Sequence, residues 1–284
     1  MTGTFAALPA FFLCGPKRGP VEQPFLQVQR TMAHVFLGGL LALGWCGQSY
    51  AQSLMPDKAL VQNWSFNGPL GHFDLAAVQR GYGVFAGVCA ACHSLKDVHF
   101  ADMAQTGLTP DEVIALAASW KVPVAVGSER LRKGLPDDAF PNPYTTPEAA
   151  RAANNGAVPP DLSRIGVVYP GGPDRIFALL TGYDTGPKQA GGQGAAPPGF
   201  ANRYAIAHRT AMPPPLHQDA VVNADGTPAT VEQEAKDVTT FLAWVSAPHA
   251  DSKRRLGVGV ALYLCFLAIL LVILKRRIWS HVAK

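Results

Sequence analysis

The amino-acid sequence predicts a mainly α-helical domain with long irregular loops, followed by one C-terminal transmembrane helix. Two observations lead to this prediction. The 284 residues include 28 glycines and 24 prolines, which favour long irregular connections over an extended sheet or a helical bundle. Residues 256–274 are apolar and carry no charge, and at about 1.5 Å per residue this stretch matches the thickness of a bilayer core.

The N-terminal 51 residues are predicted to be a leader that contains a signal peptide. The apolar stretch at residues 35–45 is too short to span a bilayer, and small residues, Ser49 and Ala51, follow at the positions that a signal peptidase reads. We expect cleavage after Ala51. Whether residues 1–31 belong to the precursor stays open, because Met32 alone could start a conventional signal, and a mitochondrial-type presequence is the alternative.

The transmembrane prediction divides the rest of the chain into an ectodomain at residues 52–252 and an anchor with a short tail at residues 253–284. Basic clusters lie on both sides of the span, at 253–255 and 275–277, so charge alone does not orient it. The signal peptide places the ectodomain outside. We therefore expect a single-pass protein of a bacterial inner membrane with its ectodomain in the periplasm. A buried core helix is the alternative interpretation of the apolar stretch.

The charge of the ectodomain argues against a nucleic-acid partner. The whole chain has a formal net charge of +4, but residues 52–250 hold 14 lysines and arginines against 18 aspartates and glutamates. The resulting charge of −4 lacks the basic patch of a nucleic-acid-binding domain. It would suit a basic partner, although a charge of this size in a folded domain more often reflects ordinary solvation.

Two of the three cysteines that remain after cleavage belong to one short motif. Cys89, Cys92 and His93 occur in the sequence C-A-A-C-H, while Cys265 lies within the predicted span. This spacing is the attachment motif of a c-type haem, since two thiols three positions apart can join the two vinyl groups of one porphyrin edge and the following histidine can reach the iron. A thioredoxin-like redox pair is the alternative use of C-x-x-C, but it does not require the histidine.

The segment before the motif is predicted to be a helix. Asp74 is placed to cap its start, and one helical face holds Leu75, Val78, Tyr82 and Phe85. A helix that leads into C-x-x-C-H is the opening of a cytochrome c fold. Gly81 and Gly83 would each weaken this helix by about 1 kcal/mol, unless they permit another helix to cross closely.

Two further helices and one long loop are readable. Thr109 and Glu112 form a capping box that predicts a helix over residues 113–120. Thr230 and Gln233 form a similar pattern before a helix close to the membrane span. The glycine- and proline-rich stretch at residues 184–200 predicts a long irregular loop.

A second axial ligand for the iron must come from a methionine or a histidine. The candidates in the ectodomain are Met55, Met103, Met212, His72, His99, His208, His217 and His249. Met103 follows His93 too closely to reach the opposite haem face easily, and Met55 sits near the expected mature terminus. Met212 is the better candidate, because the three prolines that follow it stiffen an extended segment. Plain apolar packing of Met212 remains the alternative.

These motifs together resemble the cytochrome c1 family, over roughly residues 60–280. The stretches that carry the resemblance are W-S-F-N-G-P-L-G at 64–71, C-A-A-C-H at 89–93, P-E-A-A-R-A-A-N-N-G-A-V-P-P-D-L-S at 147–163, L-L-T-G-Y at 179–183, A-I-A-H-R-T-A-M-P-P-P-L at 205–216, D-G-T-P-A-T at 225–230 and K-D-V-T-T-F-L-A-W at 236–244. The resemblance implies that Met212 ligates the iron. It also implies that the carbonyl of Pro160 orients His93 through the other ring nitrogen.

The chain departs from the family pattern near the expected haem propionates. Family members often carry an arginine shortly after P-P-D-L-S and a tyrosine six residues later. Here the corresponding positions hold Tyr169 and Arg175, as if exchanged. We hypothesise that Arg175 neutralises a propionate from the other side of the haem. The alternative is that Arg175 is an ordinary cation on a helix surface.

The resemblance implies an electron-transfer function with one covalently bound haem c. The chain would be a non-catalytic redox subunit that receives electrons from a Rieske iron-sulfur protein, assembles with cytochrome b and passes electrons to cytochrome c. One alternative is a membrane-anchored cytochrome subunit of a periplasmic dehydrogenase, although such subunits often carry further haem motifs. Another is a haem sensor without redox function, which should leave the distal iron position open.

Overall fold

The computed structural model describes residues 55–125, 128, 130–184 and 199–282. The predicted leader, its cleavage site and most of the predicted loop at residues 184–200 lie outside the described residues. The fold class is confirmed, because the described part is mainly helical with a few short strands. Its helices and strands are α1 (Leu75–Gly87), α2 (Pro110–Ser119), β1 (Lys121–Pro123), β2 (Leu131–Lys133), α3 (Pro147–Ala153), α4 (Ile165–Val168), α5 (Gly172–Thr181), β3 (Phe200–Ala201), β4 (Arg209–Thr210), α6 (Val231–Ser246) and α7 (Ala250–Val282).

The first helix, α1, begins where the sequence predicts. The Asp74 side chain accepts hydrogen bonds from the backbone N–H groups of Ala76 and Ala77, which would otherwise have no partner at a helix start. Val78 and Phe85 from the predicted apolar face are almost fully buried, whereas Leu75 is 41% exposed. Helix α1 therefore packs on the core along its last three turns and leads directly into the haem motif.

Helices α1 and α6 cross at Gly81. A Cβ atom added there would lie 2.6 Å from the carbonyl carbon of Asp237 and 2.7 Å from the Cβ of Phe241. Only a glycine permits this approach, as the sequence suggested. Gly83 has no neighbouring atom within 4 Å of such a Cβ, so helix crossing does not explain it.

The two predicted capping boxes differ in outcome. At α2 both halves form, because Thr109 Oγ1 accepts from Glu112 N and the Glu112 carboxylate accepts from Thr109 N at 2.7 Å. At α6 the Thr230 hydroxyl accepts from Gln233 N at 3.1 Å, but the Gln233 amide donates to Asp237 instead. The second box is therefore half formed, since the buried Asp237 carboxylate competes for the glutamine side chain.

The core is built around aromatic side chains between α1 and α6. Its central rings, at centroid separations of 4.4 to 6.3 Å, are Tyr82, Phe85, Phe100, Trp120, Phe140, Phe241 and Trp244. Met103 is 1% exposed and belongs to this core. The strands only close loops at its edge: β1 pairs antiparallel with β2, with Val122 opposite Arg132, and β3 pairs antiparallel with β4, with Phe200 opposite Thr210.

The last helix, α7, is long and apolar enough to cross a membrane. It contains the predicted span at residues 256–274 and begins six residues earlier, at Ala250. Its first turns are bonded to the segment that precedes α1: Asp251 accepts from Phe73 N at 3.0 Å, and Arg254 donates to the Gly71 carbonyl at 3.2 Å. The membrane helix and the haem-motif helix are thus tied together at their starts.

Candidate haem-binding site

A cavity of about 490 Å³ opens beside the end of α1. The residues that line it include Cys89, Cys92, His93, Pro160, Tyr169 and Met212, which the sequence analysis assigned to the site. Helix α5, helix α6 and the segment after α3 supply most of the remaining wall, which is largely apolar. The structure thus brings together residues that are up to 123 positions apart in the sequence.

Cys89 begins a 3₁₀ turn, Cys89–Ala91, and Cys92 caps the end of that turn. The backbone N–H groups of Cys92 and His93 both donate to the Cys89 carbonyl, at 3.1 and 2.9 Å, so the turn presents all three side chains from one short loop. The two cysteines form no disulfide. Burial, with a smaller effect of Cys92, raises the pKa of Cys89 to about 12. Redox-active thiols of the thioredoxin type have a lowered pKa, so this environment favours the haem interpretation.

The His93 ring is fixed by one hydrogen bond. Its Nδ1 lies 2.8 Å from the carbonyl oxygen of Pro160, which is the contact that the resemblance implied. A carbonyl can only accept, so Nδ1 carries the proton and Nε2 keeps a lone pair for a metal. Burial lowers the pKa of His93 despite opposing effects of Pro160 and Asp161. The ring is therefore neutral, as ligation requires.

Asp161, which the sequence analysis did not single out, holds the Pro160 segment against the haem motif. Its carboxylate accepts from the Ser94 hydroxyl at 2.7 Å and from Lys96 N at 2.9 Å. Burial opposes ionisation of Asp161, but hydrogen bonds from Lys96, Ser94 and Ser163 outweigh it and lower the pKa. The sequence signal for Asp161 was its position directly after Pro159 and Pro160, because a carboxylate there can accept hydrogen bonds from the loop that follows His93.

Met212 lines the cavity, and the other described candidates for the sixth ligand do not. Met103 is buried in the aromatic core and Met55 is 68% exposed. The Met212 backbone is held by two hydroxyl groups: its N–H donates to Thr210 Oγ1 at 3.2 Å, and its carbonyl accepts from Tyr183 Oη at 3.0 Å. Sequence reasoning missed Tyr183, although it ends the L-L-T-G-Y stretch.

Tyr169 and Arg175, which differ from the family pattern as if exchanged, lie in different surroundings. Tyr169 lines the cavity, whereas Arg175 does not. The Arg175 guanidinium donates to the backbone carbonyl of Asp57 at 3.0 Å. This contact matches the alternative of an ordinary surface cation, and the hypothesis of a propionate pair stays a prediction without support from the geometry.

The residues present fit a c-type haem. The apolar wall suits a porphyrin, two thiols on one turn suit two vinyl groups, and an imidazole and a thioether line the same cavity as possible iron ligands. None of the described residues that line the cavity carries a charged side chain. The chain therefore has the features of a membrane-anchored c-type cytochrome: a helical fold, the haem motif, a cavity beside that motif and an apolar C-terminal helix.

Comparison with known proteins gives the family. The model of the cytochrome C1 family matches residues 64–282. The chain is 41% identical over 270 residues to "Cytochrome c1, heme protein, mitochondrial" of Kluyveromyces lactis, covering 90% of each chain. It is 36% identical over 266 residues to "Cytochrome c1" of Rhodospirillum rubrum, covering 88% of this chain and 97% of that one. It is also 40% identical over 224 residues to "Cytochrome b-c1 complex catalytic subunit, mitochondrial" of Candida albicans, covering 78% and 77%.

The chain therefore belongs to the cytochrome c1 family. Its cofactor is one covalently bound haem c, and its function is electron transport. The apolar C-terminal helix fits a single-pass membrane protein. The alternative of a dehydrogenase subunit is not favoured by these relationships.

Proposed function

We propose that this chain is the haem subunit of a cytochrome bc1 complex, which receives electrons from a Rieske iron-sulfur protein and passes them to a cytochrome c. The observation that carries the proposal is that Cys89, Cys92, His93 and Met212 line the same cavity. Relatives named as parts of a b-c1 complex support membership of such an assembly.

Each of these residues has a distinct role. Cys89 and Cys92 bind the haem covalently, so the cofactor stays with the protein through each redox cycle. His93 would hold the iron through Nε2, because Pro160 occupies Nδ1. Met212 would supply the second ligand, and a thioether ligand favours the reduced iron and raises the potential. The haem supplies the one-electron couple between ferric and ferrous iron.

The proposed location follows from the membrane helix and the predicted signal peptide. The haem domain lies in the periplasm of a bacterium, and helix α7 anchors it in the inner membrane. The haem b of a bc1 complex lies in the cytochrome b partner, so the complex should contain both haem types.

The experiment is to purify the membrane complex through a tag after Lys284 and to record its reduced spectrum. We expect haem b and haem c together, and reduction of added cytochrome c by a quinol. Haem c alone, after gentle detergent extraction of an intact chain, would contradict the bc1 assignment and favour an independent membrane-anchored carrier.

Two variants of the same residue type test the site within that complex. Met212→Leu should remove the thioether signature from the ferric spectrum and lower the redox potential, since the iron loses the ligand that favours its reduced state. Met103→Leu is the matched control, because Met103 is a buried methionine that does not line the cavity. Equal spectra for both variants would refute the ligand assignment.

A further inference from the structure

The segment that carries Met212 depends on side chains for its position. Strand β4 ends two residues before Met212, at Thr210. The three prolines at 213–215 have no backbone N–H, so they cannot donate to neighbouring strands or loops. Within the described part of the chain, residues 211–216 make no backbone–backbone hydrogen bond. The Met212 carbonyl is instead bound by the Tyr183 hydroxyl at 3.0 Å.

Tyr183 is itself fixed to the cavity wall. It lies two residues beyond the end of α5 and forms an isolated antiparallel bridge with Asn202. Asn202 is 1% exposed, and its side chain donates to the Leu179 carbonyl at 2.7 Å and accepts from Tyr204 N at 3.0 Å. Leu179 lines the cavity. Asn202 thus connects the end of α5 to Tyr183: its side chain is hydrogen-bonded to Leu179, and its backbone forms the bridge with Tyr183.

The Tyr183 hydroxyl is a permanent donor. A phenol has an ordinary pKa of about 10 and is protonated throughout the physiological range. A carbonyl can only accept, so the proton of the hydroxyl is directed at Met212.

We propose that Tyr183 is a positioning residue for the axial methionine: its hydroxyl holds the Met212 backbone so that the thioether stays directed at the haem iron. The inference rests on the proposed function, because it needs Met212 as a ligand. Loss of the hydroxyl removes this donor from the Met212 carbonyl, and no backbone N–H among the described residues donates to residues 211–216 in its place. Met212 then leaves the iron more often.

Imidazole measures how often the iron is open, because it binds ferric iron only where the thioether is absent. Its apparent affinity is proportional to the open fraction. A single hydrogen bond of this kind corresponds to a change of about tenfold in an equilibrium. We expect imidazole to bind ferric Tyr183→Phe in the purified complex about tenfold more tightly than the wild type. The thioether absorption band of Tyr183→Phe should also be weaker than that of the wild type, and in an alkaline titration it should be lost with a midpoint at a lower pH.

Tyr82→Phe is the matched control. The Tyr82 hydroxyl accepts a 3.0 Å hydrogen bond from Trp120 Nε1, but neither residue lines the haem cavity. Imidazole affinity should be unchanged in this variant. Equal affinities for Tyr183→Phe and wild type would overturn the proposal, and so would an equal increase in both variants, since that would indicate general loosening. A wild-type protein without the thioether band would instead show that the proposed ligation had failed.

Discussion

The crossing of α1 and α6 gives a sharp test of the fold, because two glycines on one helix have opposite surroundings. A Cβ at Gly81 would lie 2.6 and 2.7 Å from atoms of Asp237 and Phe241, whereas ordinary contacts are 3.4 to 4 Å. The helices would have to separate by about 1 Å. A Cβ at Gly83 meets no atom within 4 Å.

The expected energies follow from this difference. Overpacking of a rigid core costs about 1–3 kcal/mol, and the upper end applies at Gly81, because one of the obstructing groups is backbone. Replacing a helical glycine by alanine recovers about 1 kcal/mol of propensity at either position. We therefore expect Gly81→Ala to destabilise the protein by about 2 kcal/mol and Gly83→Ala to stabilise it by about 0.5–1 kcal/mol.

Denaturant unfolding of the detergent-solubilised, haem-loaded protein measures both variants. The change at Gly81 should also disturb the cavity, since α1 carries the haem motif and α6 contributes Val238 and Leu242 to the wall. Equal stabilities for the two variants, or a Gly81→Ala protein as stable as the wild type, would refute the assignment of the crossing point.

Three further changes test other parts of the molecule. Arg80→Met should lower the free energy of unfolding by about 3–5 kcal/mol, because it leaves the buried Asp237 carboxylate without its cation. In a denaturant titration, the double variant with Asp237→Leu should recover much of this loss. Asp161 has a lowered pKa in the folded state, so its contribution to the free energy of unfolding is full above an unfolded pKa of about 4 and is lost as the pH falls through the lower folded value. Asp161→Asn should therefore reduce the loss of stability that is measured between about pH 5 and pH 3, and an unchanged acid profile would contradict this. We expect Arg175→Leu to leave the haem potential unchanged in a redox titration, because the guanidinium donates to the backbone carbonyl of Asp57 and does not line the cavity. A clear drop would support the propionate hypothesis.

The parts of the fold that the sequence could predict depend on local chemistry. Asp74 and Thr109 cap helices with their own neighbours, so three or four residues contain the whole signal. The haem motif is equally local. The prediction of a close helix crossing was confirmed at Gly81 but not at Gly83, because the sequence could not show which of the two glycines faces α6.

The features that the sequence could not predict join distant segments. Tyr183 contacts Met212 across 29 positions, and half of the intervening residues lie outside the described part of the chain. Gln233 was expected to complete a capping box, but the buried Asp237 takes its amide. Arg175 was placed near a haem propionate as a hypothesis from a family pattern, and the sequence could not show that its guanidinium donates to the backbone carbonyl of Asp57, 118 positions away. In each case a partner supplied by tertiary packing decides the outcome.

The bonds at the start of α7 have a mechanical consequence. The helix is 33 residues long, which corresponds to about 50 Å and exceeds a bilayer core of about 30 Å. Its first turn is bonded to Phe73, one residue before the cap of α1. The anchor is therefore continuous with the folded domain, because its first turn is hydrogen-bonded to the segment that leads into the haem-motif helix and no unbonded linker separates the two. A change in the tilt of α7 would act directly on the start of α1.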